Sequence, residues 1–279
     1  NIPITLSTDP AGTETFTWAA PDVALPGSAA DVTGTGMAAS TPGATAITGV
    51  FTNNTNADRT VLFQVTPTAA AAIGGCVGAV TEVQVIVRPK PTVAVTPASQ
   101  AICSGNPITT IDFTNPNNVA GTTYAWVLTS PASLPAGVTG TGSLAATSGS
   151  GASVTGTLTN TTAAPVTLTY SVTPTANTCS GTAATYTITV NPRPTVVAAD
   201  KAICSGADIN RSLAVSPSMT IASYIWDEPA AVTGISGTGM AAGNIPGTGS
   251  PAITGTLINS TNAPLVVEYH VSAIADAAL

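Results

Sequence analysis

Four cysteines, one histidine and one adjacent pair of acids are the residues of this chain whose chemistry could go beyond packing. The pentapeptide AICSG occurs twice, at Ala101–Gly105 and at Ala202–Gly206, and places Cys103 and Cys204 in identical settings. A cysteine beside serine and glycine fits a nucleophile, half of a metal site, a disulfide end or a structural turn. Cys76 and Cys179 complete the set, and no two of the four have C-x-x-C spacing, so the zinc pattern is absent. His270 alternates outward from Tyr269 on an expected strand, and its counterparts in the repeats described below are Ser171 and Gln64. A nucleophile–base pair therefore has no repeated support, and His270 reads as a solvent-facing strand residue. Asp227-Glu228 could hold calcium at a loop. It has no equivalent after Trp18 or Trp126, and reads as an exposed turn. Asn53, Asn160 and Asn259 each open an N-x-[ST] sequence, which fits a surface glycan or Asn/Thr turn chemistry, with the turn favoured. The Gly-Thr-Gly segments are not phosphate loops, because no strand-to-helix context follows them. No catalytic residue, metal site or cofactor is expected.

The elements that carry these residues repeat with a period of about 100 residues. The aromatic pairs FTW, YAW and YIW end at Trp18, Trp126 and Trp226. Next come VTGTGM (Val32–Met37), VTGTGS (Val138–Ser143) and ISGTGM (Ile235–Met240), then ITGVFTNNT from Ile47, VTGTLTNTT from Val154 and ITGTLINST from Ile253. Pro89-Lys90-Pro91 and Pro192-Arg193-Pro194 separate the repeats, giving expected modules at 1–90, 91–193 and 194–279. Proline fixes φ, so these are short, semi-rigid connectors. Arg88, Lys90 and Arg193, half of the six cations, cluster there, either steadying the junctions or simply solvated.

Only 7% of the 279 residues are charged, against roughly 25% in ordinary soluble proteins, and the net charge is −7. Six cations cannot track a phosphate backbone, so nucleic acid is excluded as a partner, as is an anionic membrane surface. No apolar run reaches the roughly 18–20 residues of a spanning helix, so no membrane insertion is expected. Period-2 alternation is clear at Val166, Leu168, Tyr170 and Val172 and again at Leu265, Val267, Tyr269 and Val271. One face is buried and one wet, as in antiparallel sheets. Gly, Pro and Thr interrupt every candidate helix. Many short strands per repeat, with one core tryptophan in an early strand, predict an all-β chain of tandem immunoglobulin-like sandwiches in an elongated array.

Taken in order, AICSG, Y-x-W, TGTLTNTT, the Val166–Ala176 strand and YTITVNPRPTV resemble the PKD-like repeats of very large secreted Bacteroidota proteins, a group that includes gliding-motility adhesins and other surface proteins exported by the type IX system. The resemblance covers essentially the whole chain. It implies an immunoglobulin-like sandwich, an extracellular or bacterial cell-surface location, and a role as stalk, adhesin or filament component. The opening NIPIT matches Asn106 onward, and Leu279 falls near the expected third counterpart of Cys179, so the chain is expected to be part of something longer.

With no metal or catalytic partner for the cysteines, disulfides are the leading reading. Cys103–Cys179 within the middle module satisfies parity. In immunoglobulin topology, though, the first turn and the last hairpin lie at opposite ends, which favours linking the first-turn cysteine of one module to the hairpin cysteine of the next, or of a neighbouring chain. Both connectivities stay open. The expected function is a non-catalytic structural or adhesive segment, with copies of itself or neighbouring repeats as partners, and possible contact with surface glycans or other cell-surface proteins. A carbohydrate-binding accessory module is the alternative.

Overall fold

The computed structural model describes residues 3–8 and 14–275. Asn1 and Leu279, which marked the two ends in the repeat alignment, lie outside them. The described residues are all-β, with four short 3₁₀ turns and no α-helix. Buried apolar residues form three separate cores, drawn in turn from Phe16–Val87, Ile108–Val190 and Ile209–Ile253.

The middle repeat is the most complete. One sheet has the strand order Ser99–Cys103, Ala184–Asn191, Val166–Ala176, Thr123–Ser130, Ser148–Ser150. Facing it are Ser153–Val154, Ile111–Thr114 and Ala94–Thr96, with Val138–Gly140 paired to Leu158–Asn160. Leu168, Tyr170 and Val172 are fully buried, as the alternation requires. Thr167 and Thr189 lie opposite each other on the outer face and join hydroxyls at 3.0 Å. The all-antiparallel expectation needs one correction. Ser99–Cys103 runs parallel to Ala184–Asn191, with Ile102 opposite Val190 and Cys103 opposite Asn191. The first strand of the repeat splits at Pro97: Ala94–Thr96 joins one sheet and Ser99–Cys103 the other. Proline has no N–H to give a ladder, so a break between sheets suits it.

Trp126 packs edge-on against Tyr170 and lies over Gly149 of the adjacent strand, where no side chain competes for the space. Trp18 is buried as well, whereas Trp226 is only half-buried. Among the described residues, the strand Val271–Ala275 beside Trp226 pairs only with Ile221–Trp226. Trp18 and Trp226 donate their indole N–H to Ala38 and Ala241 carbonyls. The Trp126 N–H has no partner.

Tyr170 and Tyr186 stack face to face, centroids 5.0 Å apart, and both hydroxyls are buried without a hydrogen bond. Burial pushes the Tyr170 phenol up to about 12 and raises Tyr186 further, with a smaller contribution from Tyr170 itself. The fold thus favours the protonated phenols. Their contribution is complete below pH 10, the unfolded value, and is lost as pH climbs from 10 through about 12. Hydrogen exchange in the middle repeat is expected to report falling stability over that window. Tyr170→Phe should flatten the fall and add about 1 kcal/mol at neutral pH, because it removes a buried donor that has no acceptor. A steep alkaline loss that persists unchanged in Tyr170→Phe would refute this.

Candidate functional site

The third repeat gathers the ionisable residues noted in the sequence. Asp227, Glu228, Glu268 and His270 line a shallow groove of about 270 Å³ with Pro229, Ala230, Val232 and Val266. Glu268 escaped the sequence reading, although it sits two residues from His270; both precede the strand Val271–Ala275, so the strand expected from Leu265 begins only at Val271. Among the described residues, no three His, Cys, Asp or Glu side chains are placed to hold a metal ion.

The N-x-[ST] motifs are closed turns. Asn160 is only 2% exposed. Its Nδ2 donates to the carbonyls of Ala164 and Val190, both at 2.8 Å, and its Oδ1 accepts from the Thr162 N–H and hydroxyl. All four hydrogen-bonding positions of the amide are filled. Asn53 repeats the arrangement with Ala57, Val87 and Thr55, and Asn259 with Ala263 and Thr261. The nitrogen that a glycan would occupy is engaged in the fold at each site.

AICSG mates with that turn. Ser104 Oγ accepts the Asn160 backbone N–H at 2.8 Å, Gly105 N–H donates to Leu158, and Ser104 N–H donates to Asn191. In the third repeat Ser205 and Gly206 make the matching bonds to Asn259 and Leu257. The serine is thus a structural acceptor in both repeats. The sequence carried a signal for this link, since the two motifs recur together in the same order. The Gly-Thr-Gly turns are also structural: Gly36 N–H donates to Val50 and Gly239 N–H to Thr256. There the turn backbone crosses the next segment too closely for any side chain at Gly34 or Gly237.

The cysteines remain on the surface. Cys76, Cys103 and Cys204 are exposed, Cys179 is partly so, and all four are free thiols. A Cys103–Cys179 bond within the middle module is ruled out by register. Cys103 lies opposite Asn191, next to the Val166–Val190 pair, and Cys179 lies opposite Ala176. The strand from Val166 to Ala176 separates them by roughly 33 Å, far beyond the ~7 Å Cα limit of a disulfide.

Side-chain contacts from the middle repeat fasten both connectors. Pro89, Pro91 and Pro192 are buried, while Lys90 and Arg193 are exposed. Arg88 donates from Nη1 to the Asn177 carbonyl of the middle repeat at 3.0 Å, and Gly181 packs on Pro91 so closely that a Cβ would collide. Asn117 straps the same segment, accepting from Thr92 and donating to the Lys90 carbonyl. At the next connector Arg193 donates to Asn106 Oδ1 at 2.8 Å.

This architecture is that of tandem immunoglobulin-like β-sandwich modules. The chain belongs to the PKD-like domain family, which matches residues 2–91 and 95–194. No curated protein matches it. Among solved structures, it is 12% identical to human CDH23 EC21-23, covering 91% of this chain and 81% of that one with a TM-score of 0.32. It is 10% identical to the chicken CNTN1 FN1-FN3 domains, covering 96% and 86% with a TM-score of 0.28. It is 12% identical to surface layer protein SbsC, domains 4-9, covering 98% and 42% with a TM-score of 0.22. No helix among the described residues is long and apolar enough to cross a membrane.

Proposed function

We propose that the chain is a non-catalytic structural or adhesive segment of a very large extracellular protein or filament at a bacterial cell surface, with module boundaries at 90/91 and 193/194. The observation that carries this reading is the junction. Buried prolines, the Arg88–Asn177 bond and the Asn117 strap fix one repeat against the next, which suits a part whose task is reach. Low charge reduces repulsion between neighbouring chains, so further copies or repeats are the expected partners. The resemblance to Bacteroidota surface repeats supports the type IX export and gliding-motility setting. The carbohydrate-binding alternative is weakened because no aromatic side chain stands among the exposed large hydrophobics of the described residues. Electron microscopy of native material should show beaded rods or fibres with a regular repeat. Isolated round particles would overturn the reading, and a saturable hit on a glycan array would restore the alternative.

A further inference from the structure

The two connectors share the Pro-x-Pro segment but not the fastenings around it. At the first, three contacts tie one repeat to the next. Arg88, just before Pro89, donates from Nη1 to the Asn177 carbonyl at 3.0 Å, and Asp58 lies 3.8 Å from its Nε and steadies it. Gly181 packs on the Pro91 carbonyl with no room for a Cβ. Asn117 donates from Nδ2 to the Lys90 carbonyl at 2.9 Å, and its Oδ1 accepts the Thr92 N–H and hydroxyl, both at 3.0 Å.

Both fastening side chains, Arg88 and Asn117, are replaced at the second connector. Pro89 aligns with Pro192, so Arg88 aligns with Asn191. Asn191 is shorter and uncharged, and its carbonyl accepts from Ser104 N–H of its own repeat. The strand pairs Ala94–Thr114 and Val197–Ala214 are equivalent too, since Ala94 and Val197 each stand three residues past the second proline. Three residues on from Thr114 and Ala214 come Asn117 and Pro217. A proline side chain neither donates nor accepts, so the strap cannot form there. The charged side chain of this connector, Arg193, turns back to Asn106 of the middle repeat. Among the described residues, no hydrogen bond runs from residues 92–193 to residues 195–275. Where the strap would lie there is instead a cleft of about 350 Å³, with Ser104, Thr161 and Arg193 on one side and Ser216 and Pro217 on the other.

We propose that the first junction is a strut and the second a hinge. The first and middle repeats keep one relative direction, and the third swings against them, the cleft being the side on which the hinge closes. Tandem modules move relative to each other unless contacts across the boundary prevent it. The prolines keep both connectors extended, which spaces the repeats but does not stop one from swinging. Only the first connector adds side-chain ties that do. Closure about a few connector residues, with packed modules moving as rigid bodies, is the form such a motion takes.

Residual dipolar couplings of the full chain in a weakly aligning medium test this, because they average each repeat's orientation over the microsecond-to-millisecond range of hinge motions. One alignment tensor should fit the first and middle repeats together. The third should need its own, weakened roughly twofold by the swing. Arg88→Asn combined with Asn117→Ala strips the first connector of its two fastening side chains, and should split the first repeat's tensor from the middle repeat's by a similar factor. Neither residue belongs to a buried core, so the core amide resonances should stay in place and report that the variant is folded. A single tensor for all three repeats would overturn the proposal. So would a folded double variant whose first and middle repeats still share one. Isolated round particles in microscopy would overturn the stalk reading and leave the inequality of the two junctions standing.

Discussion

Replacing Asn160 with alanine is expected to remove about 3–5 kcal/mol from the middle module, because four side-chain hydrogen bonds vanish at a site only 2% exposed. Each bond contributes roughly 1 kcal/mol net, and a partner left buried without a substitute costs more. The Val190 carbonyl is the most exposed to this loss, since it belongs to a fully buried residue of the last strand and has Asn160 Nδ2 as its side-chain donor. Asn160→Asp should fare little better, because it replaces two donors with a carboxylate facing two carbonyls. Asn259→Ala should cost only about 1–2 kcal/mol: the turn is half-exposed and makes no bond to a last strand. Hydrogen exchange on the full chain reads this locally, as the opening free energy of Ala184–Asn191. Unchanged exchange in Asn160→Ala would show that the turn is decorative.

Gly156→Ala should cost about 3 kcal/mol or more, for two reasons that add. Its φ of 145° lies where side-chain-bearing residues are strained, and a Cβ there would overlap the Thr141 carbonyl oxygen. The obstacle is backbone, locked by Thr141 N–H to Thr157 and Ser143 N–H to Thr155, so it cannot swing aside. Gly105→Ala is the matched control. It too has positive φ, at 81°, but open space around the added methyl, and should cost only about 1 kcal/mol. Equal losses in the two variants would mean that strain alone, not the crossing, accounts for the effect.

These cases show what the sequence could reveal. The alternation around Tyr170 and the order of landmarks made the sandwich and its repetition readable, because period and burial are local properties. The reason for the Gly-Thr-Gly landmarks was not readable. It lies in a backbone crossing between segments 13 to 19 residues apart, and spacing alone does not reveal that. The parallel pairing of Ser99–Cys103 escaped for the same reason, since its partner is nearly 90 residues away. The N-x-[ST] motif is ambiguous in principle, because a glycan acceptor and an Asx turn need the same two side chains. Only the occupancy of Asn160 Nδ2 separates them. For the cysteines, register settled what parity could not, by placing Cys103 and Cys179 at opposite ends of one strand.

That parallel pair has a mechanical consequence. Tension along the array would enter the middle module through Pro91 and leave through Pro192, just beyond Asn191. It would pull the Ser99–Cys103 strand back toward its start and the Ala184–Asn191 strand forward past its end. Five registered residue pairs, from Ser99–Thr187 to Cys103–Asn191, would then bear the load in shear together instead of peeling one at a time. Resistance to stretching is governed by the rate of that concerted rupture, not by overall stability. A short strand at the edge of the sheet thereby becomes a latch between the two ends of the middle module.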